Sequence, residues 1–260
     1  MEAEMYLDLN TFIHQLDART KIILFVFSFV GVLIFTDPLW MIPFLSLTLL
    51  QVLVSGANKN LQRIRHVLIV LTFSSLLLWN LFARGDTPLF WFIQVESLQY
   101  AVSRTLLMIG MISVGMILST TTRNEELSVG MVKLGLPYRV GFAISTALRL
   151  VPTIVASTYT IGQAQRSRGL DLDSGNLLER IRKYLPLLVP VFLSTIRNTN
   201  IFGMALESKG FGAREERTTL LELQMTTRDY AVLAFACLFL AISFALSFLG
   251  YGRITGLTRF

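Results

Sequence analysis

Five stretches of this sequence are apolar almost without interruption: IILFVFSFVGVLIFT at 22–36, LWMIPFLSLTLLQVLVSG at 39–56, VLIVLTFSSLLLWNLF at 67–82, residues 101–120, and YAVLAFACLFLAISFALSFLG at 230–250. A bilayer core about 30 Å thick takes about 20 helical residues to cross. Lipid gives backbone N–H and C=O groups no partner, so such runs must be helices. The runs at 22–36 and 67–82 are short for a span and draw on their flanks. The expected fold is an all-α membrane protein with about five transmembrane helices. Composition agrees: 53% of residues are hydrophobic and 15% charged, against about 25% charged in average soluble domains.

The net charge of +6 does not point to nucleic acid, because the cations lie between the apolar runs rather than in one solvated patch. Their expected role is to hold loops on the cytoplasmic side. Arg19 and Lys21 then place the N-terminus in the cytoplasm of a cell-membrane protein, and Lys59, Arg63 and Arg65 keep the loop at 57–66 inside. The loop at 83–100 has Arg84 alone and is expected outside, with FWFIQV at 90–95 as an aromatic interfacial patch. The block from Arg123 to Arg228 holds 14 of the 23 Lys and Arg, among them Arg214 and Arg217, and is expected to be cytoplasmic or interfacial. Three regions follow: transmembrane helices over 1–120, a cytoplasmic helical region over 121–217, and a last transmembrane helix over 218–260. Five crossings would leave Arg253 and Arg259 outside, against the charge rule, and a further crossing within 137–210 would remove that conflict. The acidic start MEAEMYLDLN lacks a basic region and is not expected to be a signal peptide.

The middle region has its own logic. In TTRNEELSVGMVKLGLP, 121–137, Thr122 or Asn124 starts a helix and Glu125 and Glu126 favour its first turn. Lys133, Gly135 and Pro137 stop it, and Leu127, Met131 and Leu134 form its apolar face. A long helix follows over 138–169, with Arg149 and Pro152 inside it. A short amphipathic piece, 170–186, presents Leu177, Leu178, Ile181 and Leu185, and a second long helix runs over 185–210 with Pro190 and Arg197. A cation at mid-bilayer is costly, so Arg149 and Arg197 argue for two helices lying partly in the interface as an antiparallel pair.

Both long helices end alike. Ala164-Gln165-Arg166-Ser167-Arg168-Gly169 and Ala205-Leu206-Glu207-Ser208-Lys209-Gly210 share the pattern Ala-x-x-Ser-cation-Gly, 41 positions apart. A cation in the last turn complements the helix dipole and a following glycine takes the left-handed turn, so one such ending is an ordinary helix stop. Two of them make a pair of slim, rigid, cation-tipped helices, suited to insertion into grooves where the cation meets a carboxylate.

These two stretches resemble the paired Ala-Arg-Gly signatures of the transmembrane T component of energy-coupling factor (ECF) transporters for vitamins and metals. FIHQLDARTKII, 12–23, is similar to that family's N-terminal Leu-Asp-Pro-Arg-x-Lys stretch. Ser167 and Ser208 stand where the family usually has alanine, Lys209 where it has arginine, and Ala18 where it has proline. Lysine keeps the charge but not the planar guanidinium fork. The resemblance implies that the helices of the middle region are coupling helices lying on two ATP-binding-cassette ATPases. Arg168 and Lys209 are then the tip cations, Gly169 and Gly210 the turns, and a separate small membrane protein, the S component, binds the substrate. ATP would be bound by the partners, and this chain would need no cofactor.

Other chemistry has little support in the sequence. There is no G-x-x-x-x-G-K-[ST] loop. His14 and His66 are isolated, Cys237 is the single cysteine, and no Ser/His/Asp arrangement is recognisable. The expected protein is not an enzyme. Glu179 and Glu207 are candidates for pairing with nearby cations, and Met204, Met225 and Phe211 for a pliable partner surface. A stand-alone secondary transporter would place polar groups inside discontinuous spans, whereas here they gather in one block. An intramembrane enzyme would need carboxylates or histidines within the runs at 22–36, 39–56 and 230–250, which contain none.

Overall fold

The computed structural model describes residues 6–9, 11–83, 88–90, 93–171, 174, 176–213 and 224–252. Arg84, Trp91, Phe92, Arg214, Arg217, Arg253 and Arg259 lie outside them, as do the side chains of Leu177, Leu178 and Arg180. The elements are α1 (Ala18–Ile34), α2 (Pro38–Ser55), α3 (Asn58–Arg63), α4 (Arg65–Phe82), β1 (Pro88–Phe90), β2 (Ile93–Gln94), α5 (Val95–Thr121), α6 (Asn124–Lys133), α7 (Tyr138–Ser167), α8 (Leu177–Ser208) and α9 (Thr227–Phe248). The fold is helical, as expected, with one small antiparallel pairing of β1 with β2. Among the described residues, five helices are long and apolar enough to cross a membrane: α2, α4, α5, α7 and α9. This set differs from the sequence expectation. The 17-residue α1 carries Arg19 and Lys21 in its first turn, and α7, read as interfacial, is apolar over a span's length.

The chain divides into two compact units, 1–136 with 223–260, and 137–222. In the first, α5 is the central helix, packed on α1, α2 and α4, while α6 and α9 pack on α1. The buried face of α5 is small and hydroxylated, with Ser97, Ala101, Ser103, Thr105, Gly110, Ser113, Thr120 and Thr121. Small residues let helices approach closely, which is how packing is won in lipid. The hydroxyls also reach neighbours: Thr105 donates to Ser75 Oγ of α4 at 3.0 Å, and Asn60 of α3 donates to Thr120 Oγ1 at 2.9 Å. The apolar core is modest, built from Val32, Phe35, Met41 and Phe44 with Phe239 and Leu246 of α9 against it. A Cβ at Gly31 would land on the Phe44 ring.

Helix α9 lies beside α1 in the same direction, fastened at both ends. At one end the buried Asp229 accepts the Asp17 N–H at 2.9 Å. At the other, the Gly252 carbonyl accepts the N–H groups of Thr36 and Asp37 at 2.9 and 3.0 Å. The chain leaves this unit through α6, whose Gly130 abuts Ala18 and Ile22, and re-enters at Thr226, beside Asp229. Both junctions therefore sit at the Asp17 end of the bundle. Helix α6 meets α1 at Gly130, which lies on the same face as Leu127 and Met131; Leu134, assigned to that face by periodicity, is exposed. At Gly130 the approach is close, since a Cβ there would stand 3.1 Å from Ala18 Cβ.

In the second unit, α7 and α8 form an antiparallel hairpin. Gly162 stands 3.9 Å from Leu187 Cδ1 as measured from its would-be Cβ. Phe142 near the start of α7 packs on Phe211 after the end of α8, with ring centroids 4.4 Å apart. The amphipathic piece and the second long helix of the sequence reading are one helix of 32 residues, continuous through Pro186 and Pro190. Its start carries a capping box between Asn176 and Glu179, in which the Glu179 carboxylate accepts the Asn176 N–H at 3.3 Å.

Candidate functional site: two cation-capped helix ends

Helix α7 stops at Ser167 with Arg168 as its cap, at φ −88° and ψ 8°. Gly169 follows at φ +89°. The Gly169 N–H donates to the Arg166 carbonyl at 2.9 Å and the Leu170 N–H to the Gln165 carbonyl at 3.0 Å. This is a Schellman ending, which satisfies the last carbonyls and requires the left-handed glycine. Helix α8 repeats it almost angle for angle. Lys209 is the cap at φ −87° and ψ 7°, Gly210 sits at φ +73°, and the Gly210 and Phe211 N–H groups donate to Glu207 and Leu206 carbonyls, both at 2.9 Å.

The geometry alone does not mark a site. Helices α6 and α9 end in the same way, with Gly135 and Gly250 as turns and the same bond pattern. There the cap residues are Leu134 and Leu249. Only the α7 and α8 ends, among the described residues, put a cation in the cap position of this motif. Arg168 and Lys209 are exposed and, among the described residues, neither makes an ion pair. Ala164, Ser167, Gly169, Ala205, Ser208 and Gly210 are exposed around them. The two serines are folded back onto their own helices, Ser167 Oγ donating to the Gln163 carbonyl at 3.1 Å and Ser208 Oγ to Ala205 at 2.9 Å. With the hydroxyls so engaged, the surface offered at each tip is a methyl group, a small turn and a positive charge.

The tips sit at opposite ends of the antiparallel hairpin, separated by roughly 45 Å along α8 at 1.5 Å per residue. They are not equally supported. The second is buttressed by Phe211 on Phe142, with Tyr138 stacked on Phe142 in turn. Phe211 thus serves the hairpin itself, whereas Met204 is exposed on α8.

A second cluster was undervalued by the sequence. Lys21 is almost fully buried, and its Nζ donates to the carbonyls of His14 and Thr121, both at 2.9 Å, with Glu126 at 3.9 Å. It is a pin joining α1, α5 and α6 rather than a simple cytoplasmic loop charge. Asp17 caps α1 by accepting the Arg19 N–H at 2.8 Å, and Asp229 accepts from the Thr226 N–H and hydroxyl at 2.8 and 2.6 Å. His14 is held between the Leu7 carbonyl at 2.9 Å and the Thr11 hydroxyl at 2.6 Å. Burial holds its imidazole below the ordinary value, since the charged form is disfavoured away from water. The readable signals were the capping pattern Thr226-Thr-Arg-Asp229 and the charges immediately before an apolar run.

The bundle and the lipid-length helices define a polytopic helical membrane protein. The family model for CbiQ, cobalt transport protein, matches residues 9–220. The chain is 31% identical over 254 residues to the energy-coupling factor transporter transmembrane protein EcfT of Clostridium kluyveri, covering 92% of this chain and 93% of the relative. It is 30% identical over 238 residues to the EcfT of Lactococcus lactis subsp. cremoris (86% and 89%) and 31% identical over 235 residues to that of Exiguobacterium sibiricum (85% and 89%). The chain belongs to the CbiQ/EcfT family, the transmembrane T components of ECF transporters.

Proposed function

We propose that this chain is the scaffold through which an ECF-type ATP-binding-cassette importer converts ATP hydrolysis into substrate uptake. Arg168 and Lys209 seat in grooves on two partner ATPases, each cation against a carboxylate. The ATPases bind the nucleotide, and this chain holds no cofactor. When they change the spacing of their grooves, the rigid hairpin passes that movement to a small membrane-embedded S component that carries the vitamin or metal, and tilts it.

The observation that carries this reading is the pair of matched, exposed, cation-capped Schellman ends at opposite ends of one hairpin. For both tips to meet ATPases on the same side of the membrane, the hairpin must run along the surface rather than through it. A lone crossing by α7 is also incompatible with the chain's return to the Asp17 end of the bundle. That end, with the N-terminus, is then cytoplasmic. Exposed apolar stripes on the hairpin, Val151, Val155 and Tyr159 on α7 and Ile181, Leu185, Leu188 and Phe192 on α8, supply the surface for lipid and the S component.

The test is Arg168→Glu in the co-expressed complex. The ATPases should no longer co-purify, or their hydrolysis should proceed without uptake. Unchanged assembly together with unchanged uptake would refute the proposal.

A further inference from the structure

The first unit contains a cleft of about 260 Å³ between α1, α2, α5 and α9. Phe25, Leu47, Val54, Leu118, Phe235 and Phe239 are among its walls. The polar groups on its lining are mostly engaged elsewhere. The Thr48 and Thr121 hydroxyls donate to carbonyls of their own helices at 2.8 Å, and Lys21 Nζ donates to the His14 and Thr121 carbonyls. A buried water wants two to four polar partners, so such a cleft does not hold water well. Its rim residues Leu50 and Phe235 are exposed, so an acyl chain can enter from the surrounding bilayer.

At the Asp17 end the cleft adjoins a smaller polar pocket. Phe12 and Leu16 line both, and Gln15, Thr226 and Arg228 complete the second. Arg228 is exposed and lines this pocket beside Gln15, whose Oε1 lies 3.5 Å from its Nη1. The neighbouring carboxylates Asp17 and Asp229 are buried and accept backbone N–H groups, and Arg228 is, among the described residues lining this pocket, the exposed charge at its mouth. An apolar slot that ends at a cation is the complement of one lipid molecule, with its phosphate at the cation.

We propose that this composite site binds one anionic phospholipid, an acyl chain in the α1–α2–α5–α9 cleft and the phosphate on Arg228. The test is native mass spectrometry of the purified full-length chain with phosphatidylglycerol or phosphatidylcholine of identical acyl chains. The wild type should retain phosphatidylglycerol about fivefold better, the worth of roughly 1 kcal/mol for one well-placed cation. Arg228→Gln should erase that preference and Arg228→Lys should keep most of it. Leu47→Trp, which fills the cleft, should lose both lipids. Equal retention of the two lipids by the wild type would overturn the proposal, and so would an unchanged preference in Arg228→Gln. Displacement of phosphatidylglycerol by inorganic phosphate alone, or a co-purifying protein held in place of lipid, would overturn it as well. The Arg228 pair decides the matter even where Leu47→Trp does not fold.

Discussion

The bundle and the hairpin solve opposite problems. The bundle buries its polar groups against one another: Lys21, Asp17, Asp229 and the hydroxyl face of α5 all lie inside. Its cohesion comes from close backbone approach and internal hydrogen bonds, the currency of packing in lipid. The hairpin buries almost nothing. Gly141 is the one buried residue of α7, and α8 has none among its described side chains. A pair of helices more than 40 Å long by helical rise with apolar stripes and bare cations outward is built to be completed by other molecules.

Substitutions should separate the two. The largest effect is expected from reversing both tips, Arg168→Glu with Lys209→Glu. Loss of a buried charge partner at an interface costs about 2–5 kcal/mol per pair, so the ATPases should be absent from the purified complex while the melting temperature of the isolated chain stays put. Each single reversal should do less than the double. Lys21→Met attacks the bundle instead. It leaves the buried His14 and Thr121 carbonyls short of a donor, costing about 1–3 kcal/mol for each unsatisfied group. Thermal unfolding in detergent should show the drop.

Gly31→Leu overpacks the α1–α2 contact against Phe44 and should cost about 1–3 kcal/mol in the same assay. Gly169→Ala and Gly210→Ala place a Cβ in the left-handed region at about 1–2 kcal/mol each. They should fray the helix ends, seen as faster amide exchange at Leu170 and Phe211, and weaken ATPase retention without moving the bundle's melt.

The smallest effect is titration of His14. Its folded-state value is lowered, so the neutral ring favours the folded arm. That contribution is complete above pH 6.5, the ordinary value, and is lost as pH falls from there through the lowered folded value. His14→Gln should flatten the pH dependence of protection in residues 6–16, read by hydrogen exchange. A pH dependence of ATPase assembly that persists in His14→Gln would show that this group belongs to the bundle alone.

Most of the membrane architecture was legible in residue order. Long apolar runs admit few structures in lipid, and the two tips could be found because a cation followed by glycine is a local signal that works within one helix turn. Residues 121–137 contain a helix stopped at Gly135 as expected, but its N-cap is Arg123, which makes no side-chain capping bond. The apolar face of α6 was placed on the correct side, but its closest contact with α1 is made by Gly130 between the apolar positions, and Leu134 at its end is exposed. Periodicity assumes that apolar residues face the core, which hid the hydroxyl face of α5.

What the sequence determined by itself is therefore local and solvent-driven: which segments are helices, where they stop, and that two of them stop on a bare positive charge. Tertiary structure alone decided the long-range pairings. Asp17 meets Asp229 across 212 residues, Lys21 reaches Thr121, and α7 and α8 turn their matching tips to opposite ends of one hairpin. The reason is that hydrophobicity constrains each helix against its solvent, one residue at a time. Which helices become neighbours depends on the joint fit of small residues and buried hydrogen bonds, which no single segment specifies.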